Sequence, residues 1–219
     1  MNDSELKKLW QSSQLTEENN GTGEKIEDIE ISNLKVKKLI SSMKPIKIFT
    51  LAAGILWVIM GLYLLGNIYL NDFEGANKFF LYSATFQVLL TAISVVIYLY
   101  QLILINKVDL SEPVIATQEK LSKLKSTTLT VTRILFLQLP VWTTFWWNNL
   151  MFEEWGVMQL SVVFLITILF TAISLWIFIN LKFENRDKKW FKLILAGKEW
   201  TPLINSLNIL EQIEEVKND

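Results

Sequence analysis

Cysteine and histidine are both missing from this chain of 219 residues. Their absence excludes disulfides, thiolate or imidazole metal sites, cysteine nucleophiles and histidine-based triads. No sign of charge prevails: 21 Lys+Arg stand against 22 Asp+Glu, a balance that gives no reason to expect nucleic acid as a partner. Charge is also missing from four long runs, 48–71, 79–106, 134–152 and 155–181. About 20 apolar residues cross the roughly 30 Å hydrocarbon core of a bilayer as a helix. The chain therefore reads as an all-α, polytopic membrane protein with four transmembrane helices.

The first crossing can be weighed. Residues 48–70 hold Ile48, Phe49, Leu51, Ile55, Leu56, Val58, Ile59, Leu62, Leu64, Leu65, Ile68 and Leu70. At about −0.5 kcal/mol each, these favour insertion by roughly 6 kcal/mol. No charge between Lys47 and Asp72 opposes them. The third run is the weakest, because Gln138, Pro140, Thr143, Thr144, Asn148 and Asn149 interrupt it. Partner helices must satisfy those groups. The first 46 residues are polar, which argues against a secretory signal.

Basic residues give the direction. Apart from Lys78, every Lys and Arg lies in 1–47, 107–133 or 182–217. By the positive-inside rule those three segments are cytoplasmic, both termini are inside, and the chain makes two tandem hairpins. Trp146, Trp147 and Trp155 then fall near the outer interface and Trp190 just past the inner one. The expected units are 1–24, a cytoplasmic helix and flexible tether; 25–46, an amphipathic helix; 47–106, the first hairpin; 107–133, a helix running into the third crossing; 134–182, the second hairpin; and 183–219, C-terminal amphipathic helices. The expected location is a bacterial cytoplasmic (inner) membrane.

The two halves share a short identity. Thr91-Ala92-Ile93-Ser94 in the second crossing recurs as Thr171-Ala172-Ile173-Ser174 in the fourth. Residues 33–48 and 119–134 also share a pattern of lysines, small hydroxyl residues and a basic residue before the membrane. Two hairpins entering from one side would form a parallel repeat about an axis along the membrane normal.

The polar segments carry helical faces of their own. Leu6, Leu9 and Trp10 share one face of a short helix over 3–13, and the sequence QLTEENNGTG (14–23) reads as a tether. Ile26, Ile29, Asn33, Val36, Ile40 and Met43 form a narrow seam of the coiled-coil kind. Pro45 should disturb or bend that helix. Ser111 and Pro113 mark another helix start, followed at the same spacing by Val114, Thr117, Leu121, Leu124, Thr128, Val131 and Leu135. The stretch 188–200 suits a helix on the membrane surface. Thr201-Pro202 then opens a last helix bearing Leu203, Leu207 and Leu210. These stripes can pack together as a membrane-proximal bundle, or one can be left for another protein. The tethered Leu6/Leu9/Trp10 face is the best candidate for partner binding.

Inside the membrane, Ser83, Gln87, Thr91, Ser94, Tyr98 and Gln101 fall on one face of the second crossing, and Thr167, Thr171 and Ser174 make a shorter stripe in the fourth. Such a stripe can line a polar path, but small and hydroxyl side chains more often let helices approach and hydrogen-bond. Gly54 and Gly61 read as close packing for the same reason. No Asp, Glu, Lys or Arg falls within the four runs, whereas proton relays and ion sites normally use them. Gln138 and Pro140 read as a kink whose freed carbonyl is met by a neighbour. No Gly-rich phosphate loop or acid–base pair appears, so neither an enzyme nor a cofactor is expected.

Three stretches carry a resemblance to a known group: Leu6-Lys7-Lys8-Leu9-Trp10, the segment Asp109–Leu124, and VWTTFWW at 141–147. In these the chain resembles small four-helix inner-membrane proteins of Bacteroidota, some encoded beside sigma factors. The resemblance implies an anti-sigma-like regulator, although the zinc-binding anti-sigma pattern is absent along with His and Cys. The expectation is a non-enzymatic membrane regulator or adaptor whose partners are the lipid bilayer and a cytoplasmic or membrane protein. A structural subunit or homo-oligomeric scaffold built on the seams at 26–43 and 114–135 is the alternative. A small-solute transporter or channel rests on the polar stripes alone.

Overall fold

A computed structural model describes the backbone of residues 3–108, 114–195, 197 and 200–218, and the side chains of 30–108, 115–195, 197 and 200–213. Among the described residues the only regular structure is helical. In chain order the elements are α1 (Asp3–Asn71), α2 (Lys78–Asn106), α3 (Val114–Phe136), α4 (Leu139–Thr144), α5 (Asn149–Glu154), α6 (Val157–Asn180), a 3₁₀ turn (Phe183–Asn185), α7 (Lys189–Leu195) and α8 (Trp200–Asn218). Among the described residues, three helices are long and apolar enough to cross a membrane: the Glu30–Asn71 part of α1, α2 and α6.

α1 runs through the expected tether and through Pro45 without ending. Proline removes one backbone donor and crowds the preceding turn. Here Met43 and Lys47 on either side of it are both fully buried, and packing holds the helix across the defect. The side chains of 1–29, and with them the expected Leu6/Leu9/Trp10 face, lie outside the described residues. So does the expected helix start at Ser111 and Pro113.

The turn from α1 to α2 is closed by Asn77. Its side chain accepts from the Phe79 and Phe80 amides at 3.0 and 3.5 Å, satisfying donors that a helix start leaves open. α1 and α2 then pair antiparallel. Gly54 and Gly61 face Val95 and Val88, and a Cβ at Gly54 would stand 2.7 Å from Val95 Cγ2. Without hydrogens in place of side chains there, the two backbones could not come so close.

The segment expected as a third crossing, 134–152, is not one helix. α3 enters it and stops at Phe136, α4 adds a short piece, and α5 starts at Asn149. Pro140 supplies the reason, since it has no N–H to give the carbonyl four residues back, that of Phe136.

The helices pack as a row with α2 inside it. α2 lies against α1 on one side and against α3 and α4 on the other; α6 lies beyond, against α3 and α4. In its most apolar window 33% of α2 is buried inside the protein, against 6% for α1 and 11% for α6, so the outer helices turn most of their surface outward. At the lysine-rich end α8 closes the row, packing on α1 and α3. There Val36, Ile40 and Met43 of α1, Leu104 and Ile105 of α2, Leu121 and Leu124 of α3, and Leu203, Leu210 and Ile213 of α8 form one core. The seams of α1 and α3 therefore share one core with α2 and α8. α7 makes a second cluster: Phe191 and Leu195 pack with Leu129, Ile177 and Leu181.

Candidate functional site

The expected polar stripe of α2 does face inward. Ser83, Gln87, Ser94, Tyr98 and Gln101 are buried and Thr91 is half-buried. A helical period of 3.6 residues puts these positions on one face; from it Gln101 meets Lys47 of α1 and Ser83 meets Thr144 of α4. Thr91 and Ser94 return their hydroxyls to the carbonyls of Gln87 and Leu90, at 2.8 and 2.9 Å. Back-bonding of this kind hides a hydroxyl in an apolar helix.

Cross-helix contacts concentrate at the break after α3. Ser174 Oγ of α6 donates to the Phe136 carbonyl at 2.9 Å, the acceptor that Pro140 leaves open. From the opposite side, Gln138 Nε2 donates to Thr91 Oγ1 at 3.1 Å. Farther along, Ser83 and Thr144 share a hydrogen bond of 2.9 Å between hydroxyls. Asn77 Nδ2 then donates to the Trp147 carbonyl at 2.6 Å. These contacts climb the interrupted segment from Phe136 to Trp147 while descending α2 in number from 91 to 77. Each irregular turn is thus held by a polar group of a regular helix, as an apolar surrounding demands.

The α6 stripe bonds differently along its length. Thr167 and Thr171 of α6 bond only within their own helix, to Val163 and Thr167 carbonyls at 3.1 and 2.7 Å. Ser174 of the α6 stripe and Thr91 of the α2 stripe both meet the interrupted segment, at Phe136 and Gln138. Gln87 does line a narrow cleft of about 160 Å³, with Gly61, Trp142 and Phe145 among its walls. The TAIS copies also differ in use: Ser94 bonds within α2, whereas Ser174 reaches across to another helix.

Two contributors escaped the sequence reading. Lys47, placed there at a membrane edge, is fully buried; its Nζ donates to Gln101 Oε1 at 2.6 Å and lies 5.0 Å from the Tyr98 ring. Arg133 donates through Nε to the Leu181 carbonyl at 2.8 Å, covering the frayed end of α6. Thr144, by contrast, is a group expected to need a partner helix, and Ser83 of α2 supplies the contact. A basic residue at the end of an apolar run was the available signal for the first two, but its partner lay 48 or more residues away. Among the described residues no cluster of carboxylates could hold a metal ion.

At the far end an aromatic group gathers around the α4–α5 bend. Phe80 meets Phe145 edge-on at 4.5 Å, and Trp147 meets Phe79, Phe152 and Phe164 at 5.2 to 5.9 Å. At the lysine-rich end, a groove of about 560 Å³ separates α1 from α8, with Leu39 and Ile209 in its floor and Lys35 and Lys38 along α1.

The class these features define is an all-helical protein with three helices able to cross a membrane. No protein-family model matches the chain, and neither a curated protein nor a solved structure matches it.

Proposed function

We propose that this chain is a non-enzymatic integral membrane regulator or adaptor that holds a cytoplasmic protein at a bacterial cytoplasmic membrane. The observation that carries the proposal is the core shared by α1, α2, α3 and α8. Val36, Ile40 and Met43 of one seam and Leu121 and Leu124 of the other are buried in that core, which supports a folded platform at the lysine-rich end. In this reading the Leu6/Leu9/Trp10 face is the apolar stripe that docks the partner. The resemblance to proteins encoded beside sigma factors makes a sigma factor the first partner to test.

In this reading 134–152 is the third of four crossings, broken at Pro140, and both termini are cytoplasmic. Its hydrogen bonds from Phe136 to Trp147 against α2 and α6 support that reading, because they carry the segment to the same end as the α2 cap. Reporter fusions at each terminus test the orientation; activity outside the cell at either end rejects it. Affinity purification of full-length protein from its own membrane tests the partner. Leu9→Ala with Trp10→Ala should lose the partner, and equal recovery by parent and variant rejects the site.

A homo-oligomer is the second reading, favoured by the outward surfaces of α1 and α6. A single-chain mass in mild detergent removes it.

A further inference from the structure

A second pocket, of about 440 Å³, opens at the lysine-rich end between α3, the 3₁₀ turn, α7 and α8. That volume lies in the usual range of small-molecule sites. Lys125, Arg186 and Lys192 all line it. Lys125 Nζ sits 3.9 Å from the centre of the Phe183 ring and Arg186 Cζ 4.5 Å from the same ring. The ring face attracts both cations, and in doing so brings two like charges close to one another. The Lys125 amine is pushed below its ordinary range, first by burial and next by the Arg186 charge. Two carboxylates also line the pocket. Asp187 stands 3.9 Å from Arg186 Nε and is largely exposed, and Glu211 acts on Lys125 by charge alone. Three cations against two carboxylates leave a surplus of positive charge over an aromatic floor.

The remaining walls suit an amphiphile. Trp200 and Thr201, in the first turn of α8, form one side, and the positive end of a helix favours an anion there. Ile204 and Leu207 give an apolar side. The pocket lies just past the apolar span: Phe183 follows the end of α6 at Asn180 by three residues, and Trp190 of α7 packs edge-on against Trp176 of α6 at 4.7 Å. The phosphates nearest such a position are those of lipid headgroups, which basic pockets between membrane helices recognise.

We infer that the pocket around Lys125, Arg186 and Phe183 binds the phosphate of an anionic membrane phospholipid. The inference rests on the lysine-rich end meeting the membrane surface and is independent of the partner proposed for Leu6, Leu9 and Trp10. Full-length protein in mild detergent would be titrated with dioleoylphosphatidylglycerol, with dioleoylphosphatidylcholine and with inorganic phosphate. Retained lipid is read by native mass spectrometry and affinity by melting temperature. The phosphatidylglycerol should bind saturably and raise the melting temperature, and neither of the others should do so. Lys125→Gln with Arg186→Gln should weaken binding about thirtyfold, taking about 1 kcal/mol per basic residue at a lipid surface. Lys37→Gln, the same charge loss on an exposed part of α1, should leave it unchanged. Glu211→Gln should tighten it. If the double variant does not fold, the exposed Lys192→Gln serves, with about a fivefold loss expected. Equal binding by parent and pocket variants overturns the assignment. So does inorganic phosphate stabilising the parent as well as the lipid does, since the site would then serve a soluble anion.

Discussion

α1 meets two different kinds of neighbour along one helix. Over 36–43 it presents Val36, Ile40 and Met43 to leucines and isoleucines of α2, α3 and α8, all essentially excluded from solvent. Over 54–61 it presents two glycines to valines of α2. The difference teaches which force is available at each level. Near water, covering apolar surface is itself stabilising, so large side chains interlock. Among lipid tails a leucine gains little by exchanging a lipid neighbour for a protein one, and helices associate where small residues admit close contact or where a hydrogen bond is otherwise unmade. The segment interrupted at Pro140 uses the latter device: Ser174 of α6 and Thr91 and Ser83 of α2 grip Phe136, Gln138 and Thr144 within it.

Substitutions can break this comparison. Leu121→Ala empties a fully buried position of the core and should cost about 2–5 kcal/mol, read as a lowered melting temperature in mild detergent. Gly61→Leu drives a side chain into Val88 of α2. It should cost about 1–3 kcal/mol, and Val88→Ala should restore part of the loss. Gly66, where an added Cβ would meet nothing within 4 Å, should accept alanine without loss. A Gly61 variant as stable as the Gly66 variant would show that close approach does not hold α1 to α2.

Smaller effects sharpen the picture of the interrupted arm. Ser174→Ala should cost about 0.6–1.7 kcal/mol. In a Pro140→Ala background the same change should cost less, because residue 140 then has its own N–H for the Phe136 carbonyl. Additive losses in that double-mutant cycle would disconnect the hydroxyl from the proline. The least effect belongs to the fully exposed Glu119–Lys123 pair, whose N···O distance is 2.7 Å. The hydrogen bond and charge of Lys123 hold the Glu119 carboxyl below its ordinary range, and Glu119 holds the amine of Lys123 above its own. The carboxylate contribution is present above its unfolded pKa and fades as pH falls through the folded one; the amine contribution fades as pH rises through its raised value. Solvent screens both. Glu119→Gln should leave the melting temperature unchanged from neutral to mildly acidic pH.

Length of apolar run, spacing of polar residues and the location of Pro140 were readable from the chain alone, because bilayer thickness, the helical period and a missing N–H are local constraints. They account for α2 with its inward stripe, for α6 and for a kink at Pro140, but the kink expected there is a full stop of α3 at Phe136. Close packing at Gly54 and Gly61 was legible for the same reason, though not that Val95 and Val88 would be the residues opposite. Tertiary structure decided which distant group answers each local need: Ser174 for the Phe136 carbonyl, Arg133 for that of Leu181, Gln101 for Lys47. It also decided that α8 shares a core with α1 and α3, and that Lys125 and Arg186 meet over one ring. Periodicity names a face of a helix, but only the folded arrangement of all the helices determines what that face touches.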